Sequence, residues 1–301
     1  MSRLRVRVLG GLTVFVGRDG PLPIPHSCHS LLGYLITHRR RPVFRRELAE
    51  TLWPDHDGNH ARRCLSTALW RVKKATNGST SLLAFPSAEE VSFAWNASRW
   101  VDSIALELRL QPLLRLNPAS LTSEQLGRLQ RGVHLYRGDY LIGTDDEWAW
   151  VERQRLRNMY FDGLYHLTLA YTALCDWTRV LEWGRRLSEE EPLREDVQRL
   201  LMRAYVSTGN RAKAVAQYRQ CRRILQTELA VEPMAETRAL YHELIRSNSI
   251  GRPDQSTSVP PSLAHLRRRI ARVQRVLASS QYQLNEAIVS LGQADRSKDS
   301  D

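Results

Sequence analysis

Two short alternating runs, Leu4 to Leu9 and Leu12 to Val16, flank Gly10-Gly11, and a turn at Gly17-Arg18-Asp19-Gly20 leads to a third, proline-broken run around Leu22 to Ile24. Period-two alternation punctuated by glycine predicts a small antiparallel meander, with the proline-bearing strand confined to an edge. The period then changes to that of a helix. Leu31, Leu32, Leu35 and Ile36 share one face of a helix from about Ser27 to Thr37, ended by Arg39-Arg40-Arg41-Pro42. A second helix carries Leu48, Ala49 and Leu52 and stops at Trp53-Pro54. A polar turn, Asp55 to Asn59, precedes a third, from His60 to Thr76. Its apolar positions Ala61, Leu65, Ala68, Leu69 and Val72 form one narrow stripe, and the opposite face carries Arg63, Thr67, Trp70, Arg71 and Lys74, flanked by Arg62 and Lys73. After Asn77-Gly78-Ser79, the runs Leu82 to Phe85 and Val91 to Trp95 predict a hairpin. Sheet, three helices and a terminal hairpin is the order of a winged helix, with the second and third helices as helix-turn-helix.

From about Val101 to Arg246 the pattern is almost wholly helical and repeats itself. Ala170-Tyr171 recurs as Ala204-Tyr205, Cys175-Asp176-Trp177 falls 34 residues before Gly209-Asn210-Arg211, and Val180 falls 34 before Ala214. That offset is the tetratricopeptide-type helix–turn–helix period, and Pro192 and Pro233 punctuate the helix ends. Stacked helical pairs of this kind offer a concave face to another protein. Trp148, Trp150, Trp177 and Trp183 are read as packing core before binding hot spots.

The last fifth of the chain changes character. Ser249 to Ser262 is rich in Ser, Pro and Thr and reads as a flexible linker. Beyond it, steps of three and four join Leu263, Leu266, Ile270, Val273, Leu277, Ser280, Leu284, Ala287 and Leu291, the spacing of a coiled-coil seam. Homodimerisation through Leu266, Ile270, Val273, Leu277, Leu284 and Leu291 is the preferred reading, with a helix docking back on the repeats as its rival. The predicted architecture is therefore mainly α: a winged helix over residues 1–98, tetratricopeptide-like helical repeats over 101–248, a linker over 249–262, a coiled-coil helix over 263–292 and a disordered tail over 293–301.

Charge separates these regions. The 301 residues hold 44 Lys+Arg against 32 Asp+Glu, a formal net charge of +12. Residues 1–100 hold 15 basic and 7 acidic side chains, whereas 101–248 hold 21 and 20. A polyanionic partner, double-stranded DNA, is thus expected at the N-terminal end and a protein partner in the middle. Arginine reads guanine bidentately, threonine can meet a thymine methyl, and lysine or arginine neutralises phosphate. Arg63, Thr67, Trp70 and Arg71 are the candidates for base reading, although Trp70 could pack beneath the wing. Arg45, Arg46, Arg62, Lys73 and Lys74 are the candidates for phosphate contacts.

At this point the residues support a resemblance. Leu31-Leu32-Gly33-Tyr34-Leu35, Arg41-Pro42-Val43, Arg46-Glu47-Leu48-Ala49-Glu50-Thr51-Leu52-Trp53-Pro54-Asp55, Ala61-Arg62-Arg63, Leu65-Ser66, Ala68-Leu69 and Arg71-Val72-Lys73 resemble the DNA-binding domain of SARP-type regulators (the Streptomyces antibiotic regulatory protein family). Gly138-Asp139-Tyr140-Leu141, Glu147-Trp148, Trp150-Val151-Glu152-Arg153, Glu191-Pro192-Leu193-Arg194-Glu195, Leu200-Leu201-Met202-Arg203-Ala204-Tyr205, Gly209-Asn210, Ala214, Tyr218, Glu228-Leu229, and Val231-Glu232-Pro233 resemble the bacterial transcriptional activator domain of the same family. Together the two cover roughly residues 3–247. The resemblance implies an activator that binds promoter direct repeats and contacts RNA polymerase. It departs at the wing tip, where Glu89 and Glu90 stand in place of glycine and basic or neutral residues, so a wing contact to the minor groove is not expected.

Other chemistries find little footing. There is no G-x-x-x-x-G-K-[ST], G-x-G-x-x-G or G-x-S-x-G motif, so neither an enzyme nor a bound cofactor is expected. No apolar run approaches the length of a membrane span, and the N-terminus alternates Arg with aliphatics instead of building a signal-peptide core. Cys28, Cys64, Cys175 and Cys221 are scattered and read as thiols of a reducing cytoplasm. His26, Cys28 and His29, or His56, His60 and Cys64, match no standard zinc spacing, and no metal is expected. The rival to a DNA-binding regulator is a repeat-type interaction adaptor with only non-specific DNA binding. A neutral outer face on the third helix would mark that rival.

Overall fold

The computed structural model describes residues 4–17, 20–76, 81–96 and 99–246. Strands β1 (Leu4–Arg7), β2 (Thr13–Val16) and β3 (Pro21–Leu22) form the expected antiparallel meander. Leu4, Val6 and Val14 are buried, as the alternation requires. The sheet is not purely antiparallel, however. Strand β7 (Arg99–Val101) lies parallel to the other edge of β1, giving the order β3-β2-β1-β7. The reason is steric and electrostatic together. Val101 is buried, and the next residue, Asp102, accepts hydrogen bonds from the backbone N–H groups of Val8 (2.9 Å) and Leu9 (3.1 Å). Those amides lie just past the end of β1, and without Asp102 they would be buried donors lacking a partner. Burial pushes the Asp102 carboxyl above its usual range, against the opposing pull of the N–H groups of Val8, Leu9 and Ser103.

Helices α1 (His29–Thr37), α2 (Arg45–Leu52) and α3 (Gly58–Ala75) follow the meander, with a single 3-10 turn, His26–Cys28, ahead of α1. Leu31, Leu32, Leu35 and Ile36 are buried on α1, and Leu48 and Ala49 on α2. The hairpin of β5 (Leu83–Ala84) and β6 (Glu90–Phe93) gains a third strand, β4 (Val43–Phe44), in the order β4-β6-β5. Two residues between helices are too short to show a period, which is why β4 is silent in the sequence.

The remaining helices are α4 (Asp102–Leu110), α5 (Ser123–Val133), α6 (Glu147–Ala173), α7 (Trp177–Glu190), α8 (Glu195–Ser207), α9 (Arg211–Leu229) and α10 (Ala235–Arg246). Helix α6 begins at the acidic run Asp145-Asp146-Glu147, with Asp146 as the cap residue and Glu147 in the first turn, where the helix dipole favours negative charge. The 34-residue offset is physical. Helices α7 and α9 start 34 residues apart, and the turns before them place Cys175 (φ 56°) and Gly209 (φ 77°) in the left-handed region. Asp176 N–H donates to the Tyr171 carbonyl (3.0 Å) and Asn210 N–H to the Tyr205 carbonyl (2.7 Å), so the same closing bond recurs one repeat later. Ala170 and Ala204 are buried alike, as are Val180 and Ala214. Of the four tryptophans, Trp183 is buried, Trp148 and Trp177 are half-buried, and Trp150 is exposed.

Winged helix and repeats share one apolar core, and the seam between them is built by Gly138 to Leu141. Gly10 N–H donates to the Asp139 carbonyl (3.0 Å), Leu141 N–H donates to the Val8 carbonyl (2.9 Å), and the fully buried Tyr140 hydroxyl donates to the Gly33 carbonyl (2.9 Å). Leu141, held at φ 47°, and Trp148 press against Gly33, where a Cβ would overlap the leucine side chain. Arg153 holds the back of this loop through the carbonyls of Tyr140, Leu141 and Thr144. Arg39 and Glu107 close the seam with a half-buried ion pair at 2.6 Å. The segments expected as linker (249–262), coiled-coil helix with its six candidate dimerisation residues (263–292) and tail (293–301) lie outside the described residues.

Candidate nucleic-acid interface

Helix α3 is positioned by its apolar stripe. Ala61, Leu65, Ala68, Leu69 and Val72 are the buried residues of the helix, the set predicted by periodicity, and they face α2 and the 3-10 turn before α1. The Cys28 thiol donates to the Ala68 carbonyl from that turn. At the start of the helix the Asp57 carboxylate accepts from the N–H groups of Asn59 (2.9 Å) and His60 (2.8 Å). This N-cap starts α3 at Gly58, two residues before the position predicted from the sequence. The bond from His60, then that from Asn59, hold the Asp57 carboxyl below its usual range. At the far end the buried Thr76 hydroxyl donates to the Val72 carbonyl (2.8 Å) and accepts from Leu82 N–H (3.4 Å), tying the helix exit to the hairpin. Both ends are therefore pinned, and the outer face is presented rigidly.

That face is cationic throughout. The 18 residues of α3 include Arg62, Arg63, Arg71, Lys73 and Lys74 and no carboxylate, and all five of these side chains are exposed. Among the described residues none of the five lies in ion-pair reach of an acid. The base-reading candidates Arg63, Thr67, Trp70 and Arg71 do share this face. Arg71 reaches Ser27 Oγ (3.1 Å) at the foot of the first helix, which orients its guanidinium and leaves further N–H donors open. Thr67 donates its hydroxyl to the Arg63 carbonyl (3.0 Å), so its methyl is the group left to meet a partner. Trp70 is 58% exposed, with the Lys74 ammonium 4.9 Å from its ring centroid. It stands on the open face and is not packed beneath the wing.

The phosphate candidates divide. Arg62 donates to the Gly58 carbonyl, Lys73 lies over the Phe85 ring at the wing, and Lys74 covers Trp70. Arg45 lies beside α3, reaching Ser66 Oγ at 3.4 Å, while its backbone N–H holds the Glu89 carbonyl at the wing (2.8 Å). Arg46 differs, since it pairs with Glu50 one turn along α2 at 3.7 Å. At the wing tip, Glu90 accepts from Ser87 (3.1 Å), and Glu89 is exposed.

Two features escape a reading of spacing alone. Ser27 and Ser66, the partners of Arg71 and Arg45, are signalled only by being small polar residues at helix positions. His56, His60 and Cys64 come together, their nearest ligand atoms all within 4.8 Å of one another, where the sequence predicts no metal cluster. His26, Cys28 and His29 do not form such a group: the two rings pack 4.8 Å apart, and the cysteine is buried.

Residues 101–245 match the bacterial transcriptional activator domain family. Over the chain as a whole, the regulatory protein AfsR of Streptomyces coelicolor is 27% identical across 81% of this sequence, and this sequence spans only 24% of its length. The transcriptional regulatory protein MoaR1 of Mycobacterium tuberculosis is 24% identical, with 81% of this chain and 79% of MoaR1 covered. These relatives are named as regulators and not as enzymes. Among solved structures, Mycobacterium tuberculosis EmbR, in complex with a low-affinity phosphopeptide, superposes with a TM-score of 0.65 at 19% identity, over 82% of this chain and 66% of that one. That likeness concerns the fold. Among the described residues no helix is long and apolar enough to cross a membrane.

Proposed function

We propose that the chain, whose residues 101–245 match the bacterial transcriptional activator domain family, is a SARP-type transcriptional regulator in which α3 reads promoter DNA in sequence-specific fashion while the helical repeats recruit RNA polymerase. The observation that carries this reading is the unneutralised outer face of α3, five cations without a carboxylate partner on a helix pinned at both ends. Desolvating that many unpaired charges against protein is costly, whereas phosphate and guanine edges supply the missing acceptors.

In this reading Arg62, Lys73, Lys74 and Arg45 set the register on the backbone, and Arg63, Thr67, Trp70 and Arg71 meet base edges. Arg46, already paired with Glu50, is the weakest member of the phosphate set. Binding to direct repeats, contact with RNA polymerase, and pairing of two chains through Leu266, Ile270, Val273, Leu277, Leu284 and Leu291 complete the proposal. The deciding experiment is selection of genomic fragments by the purified full chain at roughly physiological salt, beside Arg63→Ala/Arg71→Ala. A shared repeat, lost in the double variant, supports sequence reading. Salt-sensitive retention without a shared sequence, unchanged in the variant, refutes it and favours the adaptor.

A further inference from the structure

The approach to α3 carries a group of side chains that DNA reading does not use. His56 stands just before the N-cap Asp57, and His60 and Cys64 follow at successive turns of the helix. The His56 and His60 rings are 4.6 Å apart at 55°, and the nearest ligand atoms of all three residues lie within 4.8 Å. A tetrahedral site with metal–nitrogen bonds of about 2.0 Å and a metal–sulfur bond of about 2.3 Å brings its ligand atoms to roughly 3.3–3.6 Å from one another. The exposed imidazoles and half-buried thiol therefore need to close by at most about 1.5 Å, which is within the reach of their rotamers.

We propose that His56, His60 and Cys64 bind one divalent transition-metal ion of the zinc class. One thiolate with two imidazoles is a borderline-soft ligand set, suited to zinc or cobalt and unsuited to magnesium or calcium. Three protein ligands leave a fourth position for water or an incoming group. Asp57, the cap residue next to His56 whose carboxylate accepts from the His60 N–H, supplies a nearby negative charge. The other cysteines are poorly placed for the same role. Cys28 and Cys221 are buried, and Cys175, although exposed, has no histidine pair in reach among the described residues. A bound ion would clasp residues 56–64, joining the turn of the helix-turn-helix to the first two turns of α3. It adds folding stability by mass action without requiring DNA.

The test is titration of the tag-free full chain with cobalt(II), followed by displacement with zinc. One equivalent should bind with a thiolate-to-cobalt charge-transfer absorption. That absorption should vanish in Cys64→Ser, persist in Cys175→Ser, and need at least tenfold more cobalt in His56→Ala or His60→Ala. Thermal melts of each variant without metal establish that it remains folded. Cobalt binding without the charge-transfer band, an unchanged band in Cys64→Ser, or no binding at stoichiometric concentration overturns the proposal. Because the readout is spectroscopic and uses no DNA, its failure leaves the reading of the α3 face untouched, and the converse holds.

Discussion

Arginine has two fates in this molecule. On the helical repeats several arginines are claimed by acids, Arg155 by Glu152 (2.7 Å), Arg194 by Asp196 (2.8 Å) and Glu191 (3.2 Å), and Arg222 by Glu232 (2.8 Å), while others, such as Arg153, are held by carbonyls. On α3 the same residue type is left to hydroxyls and carbonyls, with Arg71 on Ser27 and Arg62 on Gly58. Near-equal counts of acids and bases leave the repeats close to neutral and give some of their arginines a carboxylate in reach. The winged helix keeps its excess positive charge unsatisfied on one rigid face. The difference shows that net charge is less informative than whether each cation already has a carboxylate.

The seam between the two regions offers the largest test of that contrast, because it should govern stability and not recognition. Asp102→Ala strands the Val8 and Leu9 amides, at about 1–3 kcal/mol each, and urea melts should show a loss of about 2–5 kcal/mol. Gly33→Ala forces Leu141 aside and should cost about 1–3 kcal/mol by the same measurement. Next in size, Arg63→Ala or Arg71→Ala should leave the melt unchanged while weakening binding to a selected operator by about 10- to 100-fold, the value of a bidentate base contact. If either variant melts early, its arginine belongs with the structural set and the contrast fails.

Smaller still, Lys73→Ala should weaken binding to all DNA alike. It should also flatten the logarithmic salt dependence by about one unit, as expected of a single phosphate contact. Arg46→Ala should do less, since Glu50 already partners it. The smallest effect tests the paired class inside the winged helix. Hydrogen bonds from Arg41, then from Tyr34, hold the Glu47 carboxyl below its usual range. A folded-state pKa below the unfolded one stabilises above the ordinary glutamate range, and the benefit is lost as pH falls through the folded value. Glu47→Gln should therefore cost under about 1 kcal/mol at neutral pH. The gap between variant and parent should close in acid melts.

Much of this was legible before the structure. The buried stripe of α3 follows from period alone, residue for residue. The 34-residue offset places the turns at Cys175 and Gly209, because a left-handed residue must close each pair in the same way. What stayed hidden depends on distant partners. Asp102 binds amides 93 and 94 residues away, and Tyr140 bonds a carbonyl 107 residues back, so no local pattern announces either. Gly33 reads as an ordinary helix glycine until Leu141 and Trp148 are seen against it. The exposed face of α3 that carries the base-reading candidates was legible as a face, yet the bond from Arg71 to Ser27 and the turn of the Thr67 hydroxyl to the Arg63 carbonyl carry no periodic signal. Spacing alone gives no standard zinc pattern for His56, His60 and Cys64, and the closeness of their ligand atoms is visible only in the structure.

The seam at Asp139 to Leu141 also has a consequence for promoters. A winged helix fixed to its repeats transmits angle as well as proximity. With α3 seated in a groove, whatever the repeats hold is aimed at one side of the duplex. The duplex turns once in about 10–10.5 base pairs. Moving the binding site by half a turn would swing the repeats to the opposite side while barely changing the distance, and moving it by a whole turn would restore the aim. If α3 reads promoter DNA as proposed, the location of a site acts as a phase, and transcription should oscillate with it.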